Sequence, residues 1–154
     1  MSRAFVKDQD EPTNELPDRP ISPHPNLVTQ EGLAAIEVNV AQFQQDYARA
    51  QAANDRTALA ALARELRYWA SRKASAQVVS PSTLQSATVQ FGCTITILRD
   101  DGRRQTYRIV GEDEADPAGG KISYVSPVAR ALIGRRVGDI LRVGNSELEL
   151  VAIA

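Results

Sequence analysis

The chain reads as an α+β protein: an antiparallel helical hairpin of coiled-coil type, followed by a small antiparallel sheet that carries one short helix. Three observations predict this. Between residues 33 and 69 the apolar residues step by three and four, which sets them along one side of a helix. From residue 89 the period drops to two, the alternation of a half-buried strand. Turn signals rich in Gly, Asp and Asn then divide the remainder into segments of strand length.

A length of 154 residues fits one domain or two small ones, and 43% hydrophobic content supplies a modest core. With 18 Lys and Arg against 19 Asp and Glu the net charge is −1, so no whole-molecule field drives nucleic-acid binding, and a free-standing DNA binder is disfavoured. Cys93 has no second cysteine to pair with. It and His24 cannot build a zinc or haem site, so no cofactor or metal centre is expected and only carboxylates remain as metal ligands. Neither a signal peptide nor a run of about 18 apolar residues occurs, which makes the cytoplasm the expected location and gives no role to a membrane.

Residues 1–26 hold five of the eight prolines together with Asp8, Asp10, Glu11, Glu15 and Asp18, and they read as a disordered Pro-rich tail. The hairpin is expected over residues 27–79. Leu33, Ile36, Val40, Phe43, Tyr47 and Ala50 form the seam of the first arm, with Thr29 as a plausible N-cap. The polar stretch Ala52-Ala53-Asn54-Asp55-Arg56 turns the chain, and Leu59, Leu62, Leu66 and Trp69 repeat the pattern. Two arms joined by so short a turn run antiparallel. A plain helical layer lying flat on a sheet is the alternative that the pattern leaves open.

Residues 80–154 are expected to hold the sheet. Val89, Phe91, Cys93, Ile95 and Ile97 alternate with polar or small residues, which puts Cys93 on the apolar side as a small core hydrophobe. Asp100-Asp101-Gly102 signals a hairpin turn, and residues 105–110 the returning strand. Glu112, Asp113, Glu114 and Asp116 lack the ligand spacing of a calcium loop. A strand over 121–125 follows, then Ser126 and Pro127 as N-cap and first residue of a short helix that Gly134 closes, then strands over 140–143 and 148–153.

The segments ISYVSPVARALIGRRVGD (122–139), YRIVGEDEAD (107–116) and FGCTITI (91–97) resemble the C-terminal domain of the GreA/GreB transcription elongation factors. LVTQEGL (27–33) and ASAQVV (74–79) are similar to that family's helix entrance and to its junction between hairpin and globular domain. The resemblance covers about 125 residues and implies an FKBP-like C-terminal domain that docks on the rim of the secondary channel of bacterial RNA polymerase, with the hairpin entering the channel. The partner it implies is therefore RNA polymerase, met by a monomer, with indirect contact to nascent RNA. Ser126, Pro127, Val128, Arg130 and Ala131 match the family's polymerase-docking loop and helix.

In cleavage-stimulating members, acidic tip residues help hold a second magnesium ion at the polymerase active site, which requires two hard oxygen ligands side by side. This chain departs from that pattern. Asp55 matches the motif's Asp, and Ala58 stands where the family has Glu. Asp55 is thus at most a weak tip metal ligand and otherwise a helix cap or turn residue, and both arms are shorter than in the cleavage factors by roughly two turns, about 10 Å. Between 27 and 78 six basic residues meet five acidic ones, and Arg56, Arg64, Arg67, Arg72 and Lys73 are candidate contacts to RNA or polymerase, with a solvated helix face as the plainer explanation.

The expected function is that of a Gre-type regulator rather than an enzyme, modulating elongation by its presence in the channel without efficient cleavage stimulation. The alternatives are an active cleavage factor in which Asp55 helps hold magnesium, with Asp46 or Glu65 in support, and a protein-interaction module unrelated to polymerase.

Overall fold

The computed structural model describes residues 15–80 and 87–154. Residues 1–14 of the expected tail, and the Pro81 stretch expected between hairpin and sheet, lie outside the described residues. A two-residue strand β1 (Leu27–Val28) leads into helix α1 (Gln30–Ala52), followed by α2 (Arg56–Ser75) and β2 (Gln77–Val78). The second half runs β3 (Thr94–Arg99), β4 (Arg104–Val110), a 3-10 turn at Pro117–Gly119, β5 (Lys121–Ser123), α3 (Pro127–Leu132), β6 (Ile140–Val143) and β7 (Ser146–Ile153).

Thr29 starts α1, its hydroxyl accepting from the Gly32 N–H at 2.9 Å, one of the donors a helix N-terminus leaves free. With 23 residues α1 is about 35 Å long. Its inward face carries Ile36, Val40 and Ala50 buried, with Leu33, Phe43 and Tyr47 half-buried. On α2, Leu59, Leu62, Leu66 and Trp69 are half-buried. A pair of helices covers each partner from one side only, so most seam residues keep one flank in water. The helices pack on each other, and neither is laid across the sheet. At the hairpin's base β1 and β2 pair in parallel, Leu27 opposite Gln77 and Val28 opposite Val78.

The sheet has the order β5-β4-β3-β7-β6. Ile95, Ile97, Ile109, Leu148 and Leu150 from the central strands pack with Ala129 and Leu132 of α3 into the core, and Cys93 sits half-buried at its edge. Ser126 caps α3 by accepting from the Ala129 N–H at 3.3 Å, and Pro127 occupies the first turn, where a missing N–H costs nothing.

Three expectations are corrected. The strand expected from Val89 begins only at Thr94: Phe91 and Gly92 form a turn, Gly92 with φ 89°, so residues 89–93 do not carry the alternation. The sheet is mixed, not wholly antiparallel, because β5 runs parallel to β4, with Ile109 opposite Ile122. The acidic segment 111–120 is no tight turn: it loops away to meet the hairpin base and brings the chain back in the same direction. Residues 15–26, expected within the disordered tail, lie extended against α2 and the sheet domain, held by partners that the sequence pattern does not reveal: Arg64, Glu65 and Arg67 on α2, Glu112, and Tyr124.

Candidate functional site

The tip of the hairpin is a three-residue turn. Ala53 ends α1, and Asn54 takes a left-handed conformation at φ 53°, which asparagine tolerates better than most residues with a side chain. Asp55 is the N-cap of α2, and its Oδ1 accepts from the Ala58 N–H at 3.1 Å. The carboxylate is therefore engaged with the start of its own helix, whose partial positive charge favours it there. The other acids named for the tip are elsewhere. Asp46 accepts from Gln42 at 3.0 Å and faces Arg49 at 3.6 Å, about 10 Å down α1 from the turn. Glu65 lies about 15 Å along α2 and pairs with Arg19 at 2.7 Å. Among the described residues no group of three or more His, Cys, Asp or Glu is placed to hold a metal ion, and the tip does not fit a clamp that needs two adjacent oxygen ligands.

At the other end of the hairpin, the acidic segment that follows β4 holds the base. Arg72 is buried at 2% exposure, its Nε donates to Asp113 Oδ2 at 2.5 Å, and its Nη2 lies 3.8 Å from Glu112 Oε2. Its Nη2 donates to Asn26 Oδ1 at 2.8 Å, while Asn26 Nδ2 donates to the Arg72 carbonyl at 2.7 Å. The Tyr68 hydroxyl donates to Asp113 Oδ1. Burial first, then that hydrogen bond and the charge of Asp113, push the Tyr68 phenol up to about 12. Glu114 Oε1 accepts from the Thr29 hydroxyl at 2.5 Å, so the residue that caps α1 is itself held by the sheet domain. Gly111 passes so close to β1 that a Cβ there would stand 2.2 Å from the Leu27 carbonyl oxygen.

Of the basic residues expected to contact a partner, Arg72 is withdrawn, because its guanidinium is spent inside this network and does not reach the surface. The sequence does carry a signal: stepping by four, three and three from Leu62 through Leu66 and Trp69 reaches Arg72, a charge in the buried register of the seam. Asn26, Tyr68 and Asp113 carry no such local mark. Arg64 and Arg67 are engaged with residues 16–18, whereas Arg56 and Lys73 are exposed and form no ion pair with any described residue. On α3, Ala129 and Leu132 face the core, Pro127 and Arg130 are exposed, and Ser126, Val128 and Ala131 are half-buried.

Residues 84–153 match the family model described as transcription elongation factor, GreA/GreB, C-terminal. GreA of Methylobacterium nodulans is 35% identical over 150 residues, covering 82% of this chain and 95% of that protein. The chain belongs to the GreA/GreB family of transcription elongation factors. GreB of Neisseria meningitidis serogroup B is 47% identical over 96 residues, 58% of each protein, and in this match and several like it the chain spans about half the length of its curated relative. The solved GreA factor homolog 1 of Thermus thermophilus is similar at 21% identity and a TM-score of 0.41, covering 85% of this chain and 99% of that one.

Within this GreA/GreB chain the matched stretch runs from ahead of β3 into β7 and includes the capped helix α3 and the acidic segment. No helix is long and apolar enough to cross a membrane, as far as the described residues go.

Proposed function

We infer that this GreA/GreB chain binds RNA polymerase as a single copy in the cytoplasm, docks at the rim of the secondary channel through Ser126, Pro127, Val128, Arg130 and Ala131, and modulates elongation by occupying the channel with its hairpin. It does so without efficient stimulation of transcript cleavage. The observation that carries this reading is the tip: Asp55 spends its Oδ1 on the Ala58 N–H, and Ala58, at the position of the family's Glu, brings no oxygen. Arg56, exposed beside that carboxylate, adds a positive charge where a magnesium ion would need a second anion. Docking is supported by α3, whose capped N-terminus and Arg130 stand at the surface while its other face closes the core.

Backtracked polymerase complexes, given this protein together with an authentic cleavage factor, test the reading. Suppressed cleavage is expected, as for a competitor. Raised cleavage that is lost in Asp55→Ala would instead establish an active cleavage factor, and unchanged cleavage would leave a protein-interaction module.

A further inference from the structure

Residues 15–26 form an extended strap without regular secondary structure, and four of the twelve are proline. The strap lies on the outer face of α2. Arg64 Nε donates to the Pro17 carbonyl at 2.9 Å, and Arg67 donates to Asp18 Oδ1 at 2.5 Å and to the Leu16 carbonyl at 3.2 Å. Arg19 reaches back to Glu65 at 2.7 Å, with its guanidinium carbon 3.8 Å from the centre of the Tyr68 ring. Further along, His24 Nε2 stands 3.5 Å from Arg130 Nη2, and the Pro25 carbonyl accepts from the Tyr124 hydroxyl at 2.5 Å. Three cations with a proposed role in partner contact, Arg64, Arg67 and Arg130, are thus all met by one segment.

The strap engages them as an acidic extended peptide would. Backbone carbonyls and one carboxylate face the Arg64 and Arg67 guanidinium groups, the His24 ring nitrogen stands beside the Arg130 guanidinium, and the prolines lower the entropy lost in lying down. Leu16 lines a groove of about 350 Å³ together with Tyr47, Leu59, Ala60 and Ala63. The hold is weak enough to release: the Arg67–Asp18 pair is exposed at 46% and 72%, a setting in which ion pairs contribute little. Arg19, between Glu65 and the Tyr68 ring, is the anchor.

We propose that the strap is a displaceable cover over the basic outer face of α2 and the Arg130 end of α3, and that an acidic, extended protein segment of the polymerase takes its place on docking. This rests on the reading that the chain binds polymerase. Binding to nucleic-acid-free core polymerase is compared for the full chain, a chain lacking residues 1–21, and the full-length double variant Asp18→Ala/Arg19→Ala, which guards against misfolding of the truncated form. A cover closed nine-tenths of the time lowers apparent affinity about tenfold, so both altered chains are expected to bind about tenfold more tightly than the full chain.

A labelled peptide of residues 15–22 supplies an arm that needs no polymerase. It is expected to bind the truncated chain and to fail with Arg67→Glu. Equal or weaker polymerase binding by the altered chains overturns the cover, as does a gain seen only when RNA is present. If no chain binds polymerase, the polymerase reading fails, and with it the proposed occupant. The peptide arm then still decides whether the strap is a releasable ligand of α2.

Discussion

Arg72 of α2 and Asp113 of the segment after β4 meet at 2.5 Å at the base of the hairpin, the arginine side chain 2% exposed and the carboxylate 10%. This pair joins the two halves of the molecule, and with the Tyr68 and Asn26 hydrogen bonds of defined direction and the Glu112 charge 3.8 Å away it holds the angle at which the hairpin leaves the sheet domain.

Replacing Arg72 by Met keeps most of the side chain's volume but leaves Asp113 nearly buried without its counter-charge. Removing one partner of a buried pair costs about 3–5 kcal/mol, and for a chain of this size that lowers the melting temperature by roughly 10 °C. Thermal unfolding followed by circular dichroism checks this. The double variant Arg72→Met/Asp113→Leu removes both charges and is expected to regain a large part of the loss, and a double variant no better than the single one would contradict the account.

The Tyr68 phenol, pushed up to about 12, couples the same network to pH. Its folded value lies above the ordinary 10.0, so the neutral form that donates to Asp113 is favoured by folding. The stabilisation is fully present below pH 10 and is lost as pH rises through about 12. Asp113→Asn is expected to bring the ionisation partway back toward 10.0 and no further, because burial, the largest cause, remains. Ultraviolet titration of the tyrosines in both proteins measures the difference.

Gly111→Ala introduces a methyl group 2.2 Å from the Leu27 carbonyl oxygen, which is backbone and cannot rotate aside. The β1–β2 pair must shift, at a cost of about 1–3 kcal/mol. Faster amide exchange at Gln77 and Val79, whose N–H groups donate to Asn26 and Val28 at 2.8 and 2.9 Å, is the local signature. Unchanged exchange there would mean that the close approach is not what places β1.

Asp55→Ala removes the cap of α2 and is expected to cost about 1 kcal/mol, with Asp55→Asn close to neutral because asparagine caps equally well. On the proposed reading, in which the carboxylate serves as a cap, neither change is expected to alter the effect on transcript cleavage. A fall in cleavage with Asp55→Asn, whose cap is intact, would assign the carboxylate a chemical role.

Much of the fold is written in local pattern. The seam from Leu33 to Ala50, the turn at Asn54-Asp55, the Ser126-Pro127 start of α3 and the alternation through Ile95 and Ile97 are short-range signals that the backbone obeys on its own. The tip is equally legible, since capping depends on residues three apart. Arg72 is placed among the surface cations because its partner Asp113 lies 41 residues away: the seam register marks the position as inward-facing, but only the fold supplies the carboxylate that lets a charge sit there.

The amino-acid sequence by itself determined the two hairpin helices, the short helix α3, most strands of the sheet, where the hairpin turns, and that its tip bears a single acid, but not the β1–β2 pair at the hairpin base. Tertiary structure alone decided that β5 lies parallel to β4, that residues 112–114 grip the hairpin base, and that the strap covers α2. The reason is distance along the chain: helix caps and periodicity act within a turn or two, whereas ion pairs and strand order exist only once remote segments share a surface.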